Sequence, residues 1–195
     1  MSEEKRVKFL IDNMTDFVKQ IISKKIEPGD FVIDGTMGNG NDTLFLANLV
    51  SEEGKVFSFD IQAQAISNTR EKLEKANLLD RVHLILDGHE YIYKYVNSNI
   101  KLAMFNLGYL PGGDHRNTTM GETTILALEQ VLELLLPGGI ISICLYSGHT
   151  EGGNELELVD LFARKLSNKN YSVIKMDYIN KKNNPPNLII IEKIT

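Results

Sequence analysis

The sequence predicts an α/β sandwich, in which one mostly parallel β-sheet lies between two layers of helices. Apolar residues alternate along the chain between helical and strand-like spacing. Residues 31–43 have the pattern of a buried strand, a glycine-rich turn and a helix start. Two late strands, at about 171–178 and 187–194, are joined by a loop short enough for an antiparallel hairpin at the end of the sheet.

The chain length predicts a single domain, residues 1–195. This length suffices for one full hydrophobic core, and we find no internal repeat or interdomain linker. No stretch approaches the apolar length of a membrane span, and the first residues lack a signal-peptide core. We therefore expect a cytoplasmic protein that does not contact membranes. The single cysteine, Cys144, lies in an apolar run and is expected to be buried.

The N-terminal segment, at about residues 5–24, has the spacing of an amphipathic helix. We expect its apolar face to cover one side of the sheet. That face consists of Phe9, Leu10, Met14, Phe17, Val18, Ile21 and Ile22.

The remaining elements alternate in the order that this architecture requires. Between the first strand and the late pair, strands are expected at about 55–60, 82–86, 100–106 and 140–146. Helices are expected at about 41–51, 62–77, 90–96, 119–136 and 153–168. Pro137 and the two glycines after it are expected to end the helix at 119–136. His83 falls inside a predicted strand and is expected to be a core or cross-strand residue.

The glycine-rich turn indicates a nucleotide-like ligand. A dinucleotide such as NAD needs three glycines, so that its pyrophosphate can approach the helix N-terminus. With Gly38 and Gly40 as the first two, the third position is Thr43. The carboxylate of Asp42 would also face the phosphates. The pattern therefore disfavours NAD.

Carboxylates beside the turn favour a cationic ligand instead. Asp34 ends the first strand, Asp42 begins the helix and Asp60 ends the second strand. S-adenosylmethionine (SAM) carries an ammonium and a sulfonium, which such carboxylates attract. Asp60 is also placed to accept hydrogen bonds from the ribose hydroxyls. The alternative is that Asp34 only closes a strand and Asp42 only caps a helix.

The residues expected to bind SAM follow the first four strands, and the group after the third strand is expected to lie at the adenine. They are Asp34, Gly35, Thr36, Met37, Gly38, Asn39, Gly40, Asn41, Asp42, Asp60, Ile61, Gln62, Asp87, Gly88, His89 and Asn106.

Three motifs, at residues 34–42, 105–114 and 146–153, resemble one bacterial family. It is the family of putative rRNA methylases, whose members include enzymes that N-methylate 5-aminomethyl-2-thiouridine at the tRNA wobble position. The resemblance implies the Rossmann-like, seven-stranded class I methyltransferase fold. It also implies SAM as the cofactor and the tRNA anticodon loop as a partner.

The segment after the fourth predicted strand contains the first candidate catalytic residues, Asn106 and Tyr109. It resembles the Asn/Asp-Pro-Pro-Tyr motif of amino-methylating enzymes, although Leu107 and Gly108 replace the two prolines. The resemblance implies that Asn106 accepts a hydrogen bond from the target nitrogen while Tyr109 stacks on the base. The alternative is a connecting loop that has no role beyond turning.

Asp114, His115 and His149 are further catalytic candidates, because the loops that carry them should converge above the donor methyl group. A histidine there can accept the proton that the methylated amine releases. Phosphate binding or plain solvent contact is the alternative for each histidine. Together with Glu151 these residues match no familiar metal-ligand spacing, so no metal is expected.

The formal net charge of −5 argues against a protein that coats nucleic acid non-specifically, but it permits local phosphate contacts. Lys24–Lys25 and Lys181–Lys182 are candidate basic patches, with ordinary surface lysines as the alternative. A homodimer is compatible with the acidic surface.

The leading hypothesis is a SAM-dependent N-methyltransferase of a modified tRNA uridine. A methyltransferase of rRNA or of a small molecule is the next alternative, followed by an NAD-dependent oxidoreductase and a non-catalytic nucleotide-binding module.

Overall fold

The computed structural model describes residues 11–108, 119–146 and 150–195. Its centre is a seven-stranded sheet with the order β3-β2-β1-β4-β5-β7-β6. The strands are β1 (Phe31–Asp34), β2 (Lys55–Asp60), β3 (Val82–Leu86), β4 (Ile100–Leu107), β5 (Leu135–Leu145), β6 (Tyr171–Met176) and β7 (Asn187–Lys193). The helices are α1 (Met14–Ile22), α2 (Asn41–Val50), α3 (Ala63–Ala76), α4 (Ile92–Tyr95), α5 (Gly121–Leu134) and α6 (Thr150–Lys165). No helix in the described ranges is long and apolar enough to cross a bilayer.

Strand pairing confirms the predicted sheet. The first five strands pair in parallel, whereas β7 runs antiparallel to both β5 and β6. The chain leaves β1 toward β2 on one side and returns to β4 on the other side, so the strand order reverses at β1. Such a switch point leaves a crevice at the carboxyl ends of the strands, where ligands of α/β sheets bind.

The two faces of the sheet each bury a hydrophobic cluster. Along β1, Val32 faces α1, α2 and α3, whereas its neighbour Ile33 faces α4, α5 and α6. Both side chains are fully buried. Because side chains of a strand alternate between faces, a run of consecutive apolar residues is what a sheet covered on both sides requires.

The N-terminal helix is shorter than predicted at its start. Residues 1–10 lie outside the described residues, and α1 begins at Met14. Asn13 is extended and its side chain accepts a hydrogen bond from the backbone N–H of Thr15 at 2.9 Å. This N-cap stops the helix from continuing toward the N-terminus. The predicted apolar face is confirmed within the described part, since Val18 and Ile22 are fully buried against the sheet.

The junction between α5 and β5 corrects the prediction of a helix to residue 136. The helix ends at Leu134, and β5 begins at once with Leu135, which pairs with Ile100 and is 2 % exposed. The pairing then jumps to Leu102 and Ile140, so the Pro-Gly-Gly segment lies in a bulge of the strand. Leu135 has an extended backbone, and Leu136 precedes a proline, which disfavours the helical conformation, so the helix ends before both residues.

Smaller elements follow the sequence closely. The weak helix predicted at 90–96 is a 3₁₀ turn at His89–Tyr91 followed by α4. His83 is a cross-strand residue, since its exposed ring stacks on Phe57 of β2 with 5.1 Å between ring centroids. Cys144 is 2 % exposed, as expected.

A buried polar cluster joins β1 and β2 to α2. Asp34 is fully buried, and its Oδ2 accepts a hydrogen bond from the Thr43 hydroxyl at 2.6 Å. That hydroxyl also lies 2.7 Å from Ser58 Oγ. The Asp34 Oδ1 accepts from the backbone N–H of Thr36 at 3.1 Å. Burial, reinforced by the charge of Asp42 and opposed by the Thr43 hydrogen bond, raises the pKa of Asp34 to about 7.

The raised pKa of Asp34 predicts a stability that falls as pH rises. The folded protein retains the Asp34 proton between about pH 4 and pH 7, whereas the unfolded chain has lost it. Over this window the free energy of unfolding is expected to decrease by up to about 4 kcal/mol more in the wild type than in Asp34→Asn. Urea unfolding followed by circular dichroism at about pH 4, 5, 6, 7 and 8 measures the difference across this window.

Asp16→Asn is the matched control, because it removes a carboxylate that is exposed on α1. Equal pH slopes for Asp34→Asn and the wild type would contradict the assignment.

Candidate active site

A cavity of about 670 Å³ opens at the carboxyl edge of the sheet, at the switch point. Its volume falls in the range of small-molecule sites. Among the described residues, the turn after β1, the end of β2, the turn after β3 and the end of β4 supply most of its wall. The lining residues are Thr15, Lys19, Gly35, Thr36, Met37, Gly38, Asn39, Asn41, Asp42, Phe59, Asp60, Ile61, Gln62, Asp87, Gly88, His89, Glu90, Asn106, Leu107, Gly108, Thr119, Met120, Thr123, Tyr146 and Asn184.

The predicted cofactor-binding residues converge here, with two exceptions. Asp34 and Gly40 do not line the cavity. Asp34 lies in the buried cluster behind the turn, so its carboxylate supports the turn and does not face a ligand. Gly40 adopts a left-handed conformation with φ 72°, and a Cβ there would lie 2.5 Å from the Thr69 hydroxyl oxygen. Its hydrogen atom is required by packing against α3.

Of the predicted catalytic residues, only Asn106 is described. It lies at the end of β4 and lines the cavity. Tyr109, Asp114, His115 and His149 lie outside the described residues. Their catalytic roles stay predictions.

Asp60 holds the glycine turn against the end of β2. Its two carboxylate oxygens accept hydrogen bonds from the backbone N–H groups of Gly38 and Gln62, both at 2.9 Å. Burial raises the pKa of Asp60, and the two backbone bonds oppose that rise. Because each carboxylate oxygen has two lone pairs, both oxygens keep acceptor capacity toward the cavity.

Asp42 is held by two partners that the sequence analysis did not identify. The Lys19 ammonium lies 2.5 Å from Asp42 Oδ1, and the Asn106 side-chain amide donates a hydrogen bond to Asp42 Oδ2. Lys19 comes from α1. A lysine on the polar face of an amphipathic helix is ordinarily a surface residue, so the sequence contained no signal for this contact.

The turn after β3 presents a neutral histidine. The Nδ1 of His89 lies 3.0 Å from the carbonyl oxygen of Gly35, which can only accept, so Nδ1 carries the proton. Burial lowers the pKa of His89, whose side chain is 7 % exposed. Its Nε2 is the one buried side-chain nitrogen or oxygen without a hydrogen-bond partner among the described residues. Asp87 beside it accepts a hydrogen bond from the Tyr95 hydroxyl at 2.7 Å.

A buried carboxylate supports the contact between Gly108 and Thr119, the described residues on either side of 109–118. Backbone atoms of Gly108 and Thr119, at either end of the segment, are joined by a 3.0 Å hydrogen bond. The Thr119 hydroxyl accepts from the Gly108 N–H at 2.9 Å and donates to Glu155 of α6 at 2.6 Å. Glu155 is 2 % exposed and also accepts from Thr124. The sequence analysis missed Glu155, because a glutamate on a helix ordinarily faces solvent.

The charges of the cavity wall fit a cation. Four described lining residues carry carboxylates, Asp42, Asp60, Asp87 and Glu90, against one lysine, Lys19. Asp42 and Asp87 form ion pairs, whereas Asp60 and Glu90 have no ion-pair partner among the described residues. The residual negative charge suits the sulfonium and ammonium of SAM and opposes a pyrophosphate.

No group of three or more metal-ligating side chains is present among the described residues. Most of the residues considered for a metal site in the sequence analysis lie outside that part of the chain.

Comparisons with known proteins identify the family of the chain. The family model described as "Putative rRNA methylase" matches residues 56–192. A chloroplastic tRNA (mnm(5)s(2)U34)-methyltransferase from Arabidopsis thaliana is 36% identical over 177 residues, which are 86% of this chain and 65% of the relative. The chain thus spans just under two thirds of that relative's length.

Two solved structures are similar over nearly the whole chain. A protein from Clostridium thermocellum described as a putative rRNA methylase is 49% identical with a TM-score of 0.93, over 95% of this chain and 100% of the other. A protein from Streptococcus mutans described as a putative methyltransferase, solved in complex with SAH (S-adenosylhomocysteine), is 40% identical with a TM-score of 0.85, over 97% and 100% of the two chains.

The family match spans most of the sheet, and these relatives share the fold that surrounds the cavity. The chain belongs to the putative rRNA methylase family of SAM-dependent class I methyltransferases.

Proposed function

We propose that this chain is an N-methyltransferase that transfers the methyl group of SAM to the 5-aminomethyl group of 2-thiouridine at the tRNA wobble position. The observation that carries the proposal is the placement of Asn106 in the wall of the same cavity as Asp60. One residue offers an acceptor to a target amine and the other offers acceptors to a ribose. The identity with the Arabidopsis thaliana tRNA methyltransferase supports this acceptor.

Cofactor binding in this proposal rests on the strand ends. Asp60 accepts hydrogen bonds from the ribose hydroxyls, and the turn after β3 lies against the adenine. Asp60 is well suited because its position is set by two backbone N–H groups and does not depend on the ligand. The methionine end of SAM then lies near the turn after β1, where Thr36 and Asn106 meet in a 2.7 Å hydrogen bond.

The proposed reaction is a direct displacement. The lone pair of the neutral amine attacks the methyl carbon, the nitrogen–carbon bond forms, and the carbon–sulfur bond breaks with its electron pair left on sulfur. The products are SAH and a methylated ammonium, which releases a proton to solvent or to a base. Orientation of the lone pair is the main requirement of such a transfer. Asn106 Oδ1, by accepting an amine N–H, directs the lone pair toward the methyl group.

The acceptor base must leave the anticodon stack to reach the cavity. Tyr146 lines the cavity, is 40% exposed, and offers an aromatic surface on which an extruded base can stack. Tyr109 is proposed to act with it. We further propose that residues 1–195 act as one domain in the cytoplasm, where tRNA is available.

An rRNA acceptor is the second candidate, because the matching family model carries that description. A small-molecule acceptor remains the third. The NAD-dependent alternative has weaker support, since the cavity wall carries an excess of carboxylates.

Methyl transfer to tRNA tests the proposal directly. Labelled SAM is incubated with the protein and total tRNA from cells that lack it, and the nucleosides are separated. Label is expected in 5-methylaminomethyl-2-thiouridine. A tRNA transcript without modified nucleosides is the control and should remain unlabelled. Label in rRNA but not in tRNA would contradict the wobble-uridine acceptor.

Asp60→Ala is expected to weaken SAH binding by about 10- to 100-fold, because it removes charge-assisted hydrogen bonds to the ribose. Isothermal titration calorimetry measures the dissociation constant. Asp60→Asn removes the negative charge but keeps one acceptor oxygen, so it separates the contribution of the charge from that of the hydrogen bond. Near-normal affinity of Asp60→Ala would disprove the ribose assignment.

Asn106→Ala is expected to leave SAH affinity within about threefold of the wild type and to lower kcat by about 100-fold, because it removes an interaction made at the reacting nitrogen. Asn48→Ala is the matched control, since Asn48 bonds to Leu44 on α2 and lies outside the cavity wall. Unchanged turnover of Asn106→Ala would remove Asn106 from the catalytic residues.

A further inference from the structure

We propose that Asp42 is a positioning residue that orients the side-chain amide of Asn106, and that Lys19 balances its charge. The inference rests on the proposed N-methyltransferase function. It explains why the site selects a methyl-accepting substrate whose N–H groups can donate hydrogen bonds. It also changes the role of Asp42 from an attractor of the cofactor's ammonium to a support for the acceptor site.

The contacts define a chain of three side chains. Lys19 Nζ lies 2.5 Å from Asp42 Oδ1, and Asn106 Nδ2 donates to Asp42 Oδ2. Both oxygens of Asp42 thus have internal partners. The side chains of Lys19 and Asp42 are 22% and 13% exposed, so the pair is shielded from bulk water. In such a place a charge-assisted hydrogen bond is stronger than on the surface.

The chemistry of a carboxylate decides which end of the amide faces it. An ionised carboxylate only accepts hydrogen bonds, so the amide of Asn106 must turn its nitrogen toward Asp42. Its oxygen, Oδ1, is then directed away from Asp42. No described residue donates a hydrogen bond to Oδ1, and the Asn106 side chain lines the cavity. The backbone of the same residue is held separately, since Asn106 N–H donates to Thr36 Oγ1 at 2.7 Å.

This orientation selects the acceptor chemistry. An exposed oxygen accepts an N–H from the target amine and leaves the lone pair free to attack. A reversed amide would present its NH₂ group, which would donate to that lone pair and compete with methyl transfer. The energy that separates the two orientations is therefore important for turnover and not for cofactor affinity.

The Lys19 ammonium offsets the free-energy cost of shielding the Asp42 carboxylate from water. A shielded carboxylate without a cation is costly and would attract the cofactor's ammonium in place of the amide. α1 supplies the cation because its apolar side, including Val18 and Ile22, is buried on the sheet while Lys19 projects to the cavity. The N-terminal helix thus contributes to the site as well as to the core.

A charge swap tests the orientation. Asn106→Asp alone places a carboxylate against Asp42, and kcat is expected to fall by about 100-fold or more. The double variant Asp42→Asn/Asn106→Asp restores a donor–acceptor pair with the roles exchanged, and one oxygen at position 106 still accepts from the amine. Its kcat is expected to exceed that of Asn106→Asp by about tenfold, whereas additive effects would give no recovery.

SAH affinity and thermal unfolding are measured for every variant, so that a loss of turnover is distinguished from a loss of cofactor binding or of folding. The kcat comparison is made at a temperature at which each variant is folded and saturated with SAM. Asp160→Asn is the matched control, since Asp160 forms ion pairs with Arg164 and Lys175 away from the cavity wall. A double variant that is no more active than Asn106→Asp would overturn the inference, provided that the wild type methylates the amine.

An NMR experiment tests the contact independently of activity. In ¹⁵N-labelled protein with SAH, the side-chain NH₂ signals of Asn106 are expected downfield of those of Asn48 and to move upfield in Asp42→Ala. Signals that do not respond to Asp42→Ala would overturn the inference even if the wild type methylates tRNA. If the Asn106 signals move in Asp42→Ala but the wild type methylates no amine, the contact is supported and only the proposed function is refuted.

Discussion

The turn between β1 and α2 depends on one buried carboxylate, and most of the site depends on that turn. Asp34 bonds to the Thr36 N–H on the turn and to the Thr43 hydroxyl on α2, so it ties both sides of the turn to the sheet. A fully buried carboxyl group needs such partners, because an unsatisfied one would cost several kcal/mol, roughly 2–7 on transfer scales. From the opposite side, Asp60 accepts from the Gly38 N–H and fixes the turn against β2. This part of the cavity wall is thus held in place by hydrogen bonds within the protein.

The same acidic residues divide into structural and ligand-facing groups. Asp34 is buried behind the cavity wall, and both oxygens of Asp42 contact internal partners, Lys19 and Asn106. Asp60, at the end of β2, has backbone N–H groups as its hydrogen-bond partners, so its oxygens keep acceptor capacity for a ligand. Net attraction for a cationic cofactor therefore comes from fewer carboxylates than the sequence contains. A site of this kind gains affinity from placement more than from the number of charges.

A buried side chain of α6 supports the cavity wall at the end of β4. Glu155 of α6 accepts a hydrogen bond from the Thr119 hydroxyl, which in turn accepts from the Gly108 N–H at the end of β4. α6 follows β5 and α5 precedes it, so this one buried side chain connects two segments that border the cavity. This arrangement agrees with an enzyme whose acceptor must be held in one orientation.

The sequence by itself determined the elements, the strand ends and the chemical type of the site. Hydrophobic periodicity and turn residues are local properties, which is why β2 and β3 match their predicted bounds and why the residues after four strands were placed at one edge. Only the tertiary structure decided which polar side chains face the cavity. Asp34 turns inward because Thr43 and Ser58 meet it there, and Lys19 reaches Asp42 because α1 packs on the sheet. Likewise β5 starts at Leu135 because the backbone of this residue pairs with Ile100 of β4. Such outcomes depend on contacts between distant segments, and no pattern along the chain encodes them.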